Sequence, residues 1–93
     1  MSNIQRRIDI VVSGQVQGVF FRQGVKTIAE KLEVYGWARN APDGSVKIVA
    51  EGSEEGLKKL VEWCKKGRGS VRVDTIEVNW IDATGEFNSF VIR

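Results

Sequence analysis

Apolar residues along this chain switch between a period of two and a period near four. The order of those switches constrains the fold more than any single residue does. Ile8, Ile10 and Val12 alternate with Asp9, Val11 and Ser13, the spacing of a strand with one buried face. Phe21, Val25, Ile28, Ala29 and Leu32 then recur at helical spacing, which predicts a helix over roughly residues 21–33. Val34 to Asn40 reads as a second strand. Ala41-Pro42-Asp43-Gly44 reads as a turn, with Pro presetting φ, Asp bonding its own backbone and Gly accepting positive φ. Val46, Ile48 and Ala50 alternate with Lys47, Val49 and Glu51 in a third strand.

A second helix follows. Ser53 is a natural N-cap, and Glu54 and Glu55 occupy the first turn, where the helix dipole favours them. Leu57, Leu60, Val61 and Cys64 form its apolar face, Lys65 and Lys66 close it, and Gly67 can cap it. Residues 71–80 predict a fourth strand. Its alternation slips near Asp74-Thr75, where a bulge or the true strand start is expected. Asp82 to Glu86 turn, and Phe87 to Ile92 predict a short closing strand.

The resulting order is βαββαβ. Two crossover helices with right-handed connections predict an α+β, ferredoxin-like two-layer sandwich. Its sheet is mainly antiparallel, with both helices on one face and a short strand closing the edge. In that arrangement the first two strands run parallel with the third between them, so their C-terminal ends share one edge, within roughly 10 Å. The chain of 93 residues, 42% hydrophobic and without a linker or repeat, reads as a single domain over 1–93.

Composition removes several kinds of chemistry. Net charge is +2, with Lys+Arg 14 against Asp+Glu 12, too balanced to argue for nucleic acid. Histidine is absent, so a Ser-His or Cys-His nucleophile is excluded. With a single cysteine as well, a zinc site is not expected. Cys64 lies in an apolar stripe and reads as a buried small hydrophobe. The start, MSNIQRRIDI, is too polar for a signal peptide, and no apolar run reaches membrane-spanning length. A cytoplasmic monomer is the expectation.

The stretch GQVQGVFFR, Gly14 to Arg22, links the first strand to the first helix. Unlike the second helix, the first has no Ser, Thr, Asp or Asn just before it, so its leading N–H groups lack a side-chain partner. Arg22 stands at the end of the helix where the dipole disfavours a cation. Gly14 and Gly18 allow the backbone to curl so that N–H groups converge, as in phosphate-binding nests. Gly24 weakens the first turn but opens room for a close approach. Arg22 adds a planar, always-charged fork suited to phosphate oxygens. Glycines alone would mark only a tight turn, and the arginine only a surface cation; the missing cap and the misplaced cation together point to an anion site. The stretch is neither a Walker A loop nor a dinucleotide fingerprint. Asn40 by itself reads as a turn residue. Its predicted position at the same sheet edge makes it a candidate partner of the loop.

GQVQGVFFR followed by GWARNAPDGSVKIVAEG resembles the acylphosphatase family. Its two signatures, G-x-V-Q-G-V-x-F-R and G-W-V-x-N-x-x-D-G-x-V, occur here in order and at a fitting separation. The departures are Ala38, where the family usually has valine, and the lack of a proline after Gly67. The resemblance implies hydrolysis of the carboxyl–phosphate anhydride of acyl phosphates. It implies that backbone N–H groups of Gln15, Val16, Gln17, Gly18, Val19, Phe20, Phe21 and Arg22 bind the phosphate, that Arg22 clamps it, and that Asn40 orients the attacking water. It implies no metal, no cofactor and no phosphoenzyme. The partners are then a small-molecule acyl phosphate and inorganic phosphate, with no nucleic acid and no membrane.

That chemistry suits a chain without histidine. The leaving carboxylate has a pKa near that of Asp or Glu, about 4, and departs without a general acid. A competing reading is an RNA-recognition module, which shares the topology and stacks bases on aromatics of its central strands. RRIDIVVSG and SVKIVAEG contain none. Another is an accessory domain that binds carbamoyl phosphate within a larger maturation protein. Trp37, Trp63 and Trp80 read as packing or half-buried sheet residues, and Lys65, Lys66, Arg68 and Arg72 as a solvated helix terminus.

Overall fold

The structure, a computed structural model, describes residues 4–93; residues 1–3 of the single-domain reading lie outside the described residues. The elements run β1 (Gln5–Gln15), α1 (Phe21–Lys31), β2 (Tyr35–Asn40), β3 (Val46–Ser53), α2 (Glu54–Lys66), β4 (Arg72–Asp82) and β5 (Phe90–Ile92). The sheet order is β4-β1-β3-β2-β5, antiparallel throughout except for the parallel β2–β5 pair. This is the expected ferredoxin-like arrangement. β1 and β2 run parallel on either side of β3, so Gln15 and Asn40 end at one edge.

The core lies between the sheet and the helices. Ile8, Ile10 and Val12 of β1 and Val46, Ile48 and Ala50 of β3 meet Phe21, Val25 and Ala29 of α1 and Leu57, Leu60 and Cys64 of α2. Burial pushes the Cys64 thiol up to about 12, so it packs as a small hydrophobe. Ser53 caps α2 as its sequence predicts, accepting from the Gly56 N–H at 3.0 Å. The expected irregularity in β4 is a bulge. Ser13 pairs with Thr75 but Gly14 pairs with Val73, which leaves Asp74 without an opposite residue.

Several boundaries differ from the sequence reading. α1 ends at Lys31 rather than near 33 because the chain leaves it through Glu33, at φ 56. The N–H groups of Glu33 and Val34 donate back to the Glu30 and Ala29 carbonyls, closing the helix and delaying β2 to Tyr35. β4 runs on to Asp82 because its ladder with β1 continues to Arg6. β5 begins at Phe90, not Phe87. The segment before it folds under the open face of the sheet instead, where Glu51 accepts from the Thr84 N–H at 2.9 Å, the Thr84 hydroxyl at 2.8 Å and the Gly85 N–H at 2.9 Å.

The tryptophans pack at the margins of both layers. Trp63 stacks on Phe21 with ring centroids 5.9 Å apart. Trp37, on the open face, lies under the Arg39 and Arg93 guanidinium groups, and Trp80 lies under that of Arg6. Among the described residues, no helix is long and apolar enough to cross a membrane.

Candidate active site

The site begins where β1 leaves the sheet. Gly14 sits at the register shift, and a Cβ there would lie 2.2 Å from the Arg72 carbonyl oxygen. Its glycine is required by the close approach of β4 rather than by the curl of the turn. The curl belongs to Gly18, at φ 73, and to Phe20, at φ 63. These left-handed residues alternate with Val19, a pattern that aims successive N–H groups to one side. Phe20 is 88% exposed, and an aromatic residue in this conformation costs roughly 1–3 kcal/mol.

Phe20 occupies the N-cap of α1 and makes no side-chain cap hydrogen bond. Among the described residues, no hydrogen bond takes its donor from the backbone N–H of residues 16–23. The first donor is Gly24, to the Phe20 carbonyl at 3.1 Å. The helix N-terminus and the preceding turn therefore present a continuous set of free donors. No acidic residue occupies the first turn to take them up.

Arg22 projects from the start of α1 and is half-buried. Its Nη1 donates to the Arg93 main-chain oxygen at 3.1 Å, a contact that anchors the guanidinium at the residue following β5. Among the described residues, no carboxylate side chain stands within ion-pair distance of it. Val16, Gly18, Phe20, Phe21 and Arg22 line an open hollow of about 290 Å³, together with Gln23 and Ile92.

Not every residue expected at the site reaches this hollow. The Gln15 side chain turns outward to the Ser70 carbonyl at 2.9 Å. The Gln17 amide nitrogen donates to the carbonyls of Ala41, at 2.9 Å, and Ser45, at 2.8 Å, which joins the turn to the β2–β3 hairpin. Val19 lines a neighbouring hollow. Asn40 ends β2 opposite Val46, on the helix-bearing side of the sheet, but does not line the hollow itself. Its amide is exposed and has no hydrogen bond among the described residues.

The hairpin after Asn40 is held by other groups. The Asp43 carboxylate accepts from the Ser45 hydroxyl at 2.6 Å and the Ser45 N–H at 2.9 Å, and these bonds lower its pKa. The Ala41 N–H donates to the Ser45 carbonyl at 2.8 Å. The turn is thus complete without the Asn40 side chain.

Two contacts around the turn escaped sequence reasoning. The Gln17 tether spans 24 and 28 residues of chain, and nothing local marks its partners. The room left by Gly24 is filled from within the protein, since a Cβ there would meet Trp63 Cη2 at 2.7 Å. Among the described residues, no cluster of His, Cys, Asp or Glu could hold a metal ion.

The sequence profile of the acylphosphatase family matches residues 8–92. The chain belongs to the acylphosphatase family. It is similar to the acylphosphatase of Anaeromyxobacter dehalogenans, with 47% identity over 87 residues, covering 94% of each chain. Similarity to the acylphosphatase of Pelotomaculum thermopropionicum is 48% over 86 residues, 92% of this chain and 94% of that one. The crystal structure of the Bacillus subtilis acylphosphatase superposes with a TM-score of 0.91 at 38% identity, covering 95% of this chain and 98% of that one. Full-length HypF, in a phosphate- and nucleotide-bound crystal form, matches all of this chain over 12% of its own length, with a TM-score of 0.86 and 26% identity. As an acylphosphatase the chain is a hydrolase of acyl phosphates.

Proposed function

We propose that the enzyme binds the phosphoryl group of an acyl phosphate in the turn of residues 15–22, that Arg22 clamps it, and that Asn40 positions the attacking water. One observation supports the reading: the N–H groups of residues 16–23 donate no hydrogen bond among the described residues, and they belong to the turn and helix start that carry the Arg22 guanidinium, which has no side-chain carboxylate partner. Such donors suit a dianionic group. Nη1 is occupied by the Arg93 main-chain oxygen, and the remaining guanidinium N–H groups are left for phosphate oxygens.

The water oxygen attacks phosphorus as the bond between phosphorus and the acyl oxygen breaks. The bonding pair departs on the carboxylate, and inorganic phosphate retains both protons of the water. Because the leaving group is a carboxylate, of pKa about 4, the step needs no general acid. Catalysis then consists of positioning and charge stabilisation, which backbone donors and one arginine provide. An amide can accept from water through its oxygen and donate to phosphate through its nitrogen. The free Asn40 amide at the end of β2 suits that role.

The reading includes no metal and no cofactor, since every proposed contact to phosphate is an N–H donor. It also takes the chain to act as one domain over 1–93, a cytoplasmic monomer with a small-molecule substrate and no nucleic-acid or membrane partner. The outward residues of β1 and β3, among them Arg7, Asp9, Lys47 and Val49, offer no aromatic platform for bases.

Hydrolysis of benzoyl phosphate, followed by absorbance before and after dialysis against EDTA, tests the activity. Equal rates are expected. No hydrolysis overturns the activity, and a loss restored by a divalent cation overturns the metal-free mechanism alone.

A further inference from the structure

β5 has three residues and, at the edge of the sheet, a single strand neighbour, β2. It nevertheless contributes to the site in two ways. Ile92 lines the hollow beside Arg22, and the main-chain oxygen of Arg93, the next residue, holds Arg22 Nη1 at 3.1 Å. Phe90 is buried, but Val91 and Ile92 are 41% and 37% exposed, so side-chain packing fixes mainly the start of the strand. We propose that Lys26 is a positioning residue for the hydrolysis, holding β5 against α1 so that Arg22 keeps its orientation toward phosphate. The inference rests on the reading of Arg22 as the phosphate clamp.

The geometry is a two-point grip. Arg22 and Lys26 stand four residues apart on α1, hence on one face of the helix. Arg22 donates to the main-chain oxygen of Arg93, and Lys26 Nζ donates to the Phe90 carbonyl at 3.1 Å. The Ser89 carbonyl accepts from the Gly36 N–H at 3.0 Å, and the Arg93 N–H donates to the Ala38 carbonyl at 2.8 Å. Alternate residues from Ser89 to Arg93 thus turn their peptide groups toward β2. Phe90 falls on the other alternation, so its carbonyl faces the edge that no strand covers. Lys26 supplies the donor that a further strand would have provided. A single bond would let the strand pivot on α1; two bonds, three residues apart on the chain, hold both ends of β5.

Lys26 acts through Arg22 rather than on the substrate. It does not line the hollow, and its Nζ pairs with Glu30 Oε2 at 3.3 Å. Its charge is therefore met within α1, whereas Arg22 has no carboxylate side chain beside it among the described residues. What Lys26 sets is the place of the Arg93 oxygen. That oxygen takes one N–H of a planar guanidinium and so fixes the direction of the remaining donors. A shift of the anchor by even 1 Å would turn those donors away from the phosphoryl oxygens, at a large cost in rate.

The test is a double-mutant cycle with benzoyl phosphate as substrate, reading kcat, inhibition by inorganic phosphate and the urea midpoint. Lys26→Met keeps a long, helix-compatible stem but removes the donor. It is expected to lower kcat by about tenfold and to weaken phosphate inhibition severalfold. Lys26→Arg, which keeps the donor, is expected to stay within about threefold of the wild type. Added to Arg22→Ala, Lys26→Met is expected to lower kcat by less than about twofold more, because the group it positions is already gone. A merely structural lysine would lower the urea midpoint with kcat and phosphate inhibition unchanged, and that result overturns the proposal. Losses that multiply in full in the double variant overturn it too, since Lys26 would then act independently of Arg22. Should circular dichroism show that Lys26→Met fails to fold, Lys26→Gln, neutral and one atom shorter, is judged by the same criteria. If Arg22→Ala leaves turnover and phosphate inhibition near normal, the clamp reading falls together with this inference. If Arg22→Ala is impaired and the Lys26 variants are not, this inference alone falls.

Discussion

Gln17 donates to the carbonyl of Ala41 at 2.9 Å, so the turn after β1 is tied to the residue that follows Asn40. The same amide nitrogen reaches the Ser45 carbonyl at 2.8 Å, across the neck of the β2–β3 hairpin. Separation of the cradle from the proposed water site is thereby set by one side chain. Both carbonyls also accept backbone N–H groups, from Gly44 and Ala41, so removing Gln17 leaves neither unpaired. Gln17→Ala is expected to lower kcat by about tenfold through misplacement of the water, with phosphate inhibition nearly unchanged. An unaltered kcat would show that the tether does not position the site.

Arg22 is expected to tolerate no substitution that loses the fork. Lysine preserves the charge but presents a point cation in place of a planar set of donors. Arg22→Lys should lower kcat by about 100-fold or more and weaken inhibition by inorganic phosphate. The urea midpoint should stay near that of the wild type, because the side chain lies at the rim of the core. Near-normal turnover and phosphate affinity would remove Arg22 from the site.

Asn40 and Asp43 separate catalysis from turn formation. The hairpin hydrogen bonds run through Asp43 and Ser45, and the Asn40 amide takes no part in them. Asn40→Ala should therefore reduce kcat by about 100-fold with phosphate still bound. Asp43→Ala should lower the urea midpoint with kcat close to the wild-type value. If Asn40→Ala were destabilised but catalytically competent, the water-positioning role would fall.

Glu51 should govern part of the acid stability. Burial raises its pKa, but hydrogen bonds from the Thr84 N–H, the Thr84 hydroxyl and the Gly85 N–H, with the Arg7 charge, together outweigh burial and leave it below 4.5. A depressed folded pKa stabilises the protein above the unfolded value and loses that contribution as pH falls through the folded one. Glu51→Gln should therefore be less stable at neutral pH and show a shallower loss of urea midpoint between about pH 6 and pH 3. Equal pH slopes in the two proteins would exclude Glu51 as a source of acid sensitivity.

Local interactions were readable from the residues alone. Ser53 caps α2 within one turn, Asp43 closes its own hairpin, and the broken alternation at Asp74 marks a bulge. The lack of a cap before α1 was equally visible, and with Arg22 it singled out the turn as the candidate anion site. Each of these signals lies within a few residues of its effect, where propensity and period act directly.

The remaining features depended on residues distant in sequence. Phe87 belongs to the segment beneath the sheet rather than to β5, because Glu51 captures Thr84 and Gly85 from the far side of the chain. Gly14 and Gly24 both looked like parts of the anion turn. Only the packed molecule shows that Arg72 crowds one and Trp63 the other. Strand order, the Gln17 tether and the hollow beside Phe20 are likewise products of assembly. Sequence determined the elements, the uncapped turn and its arginine, since their causes are local. The tertiary structure decided that the turn after β1 lies between the start of β4 and the end of β2 with Asn40, because that relation exists only once β4, β1, β3 and β2 stand in order.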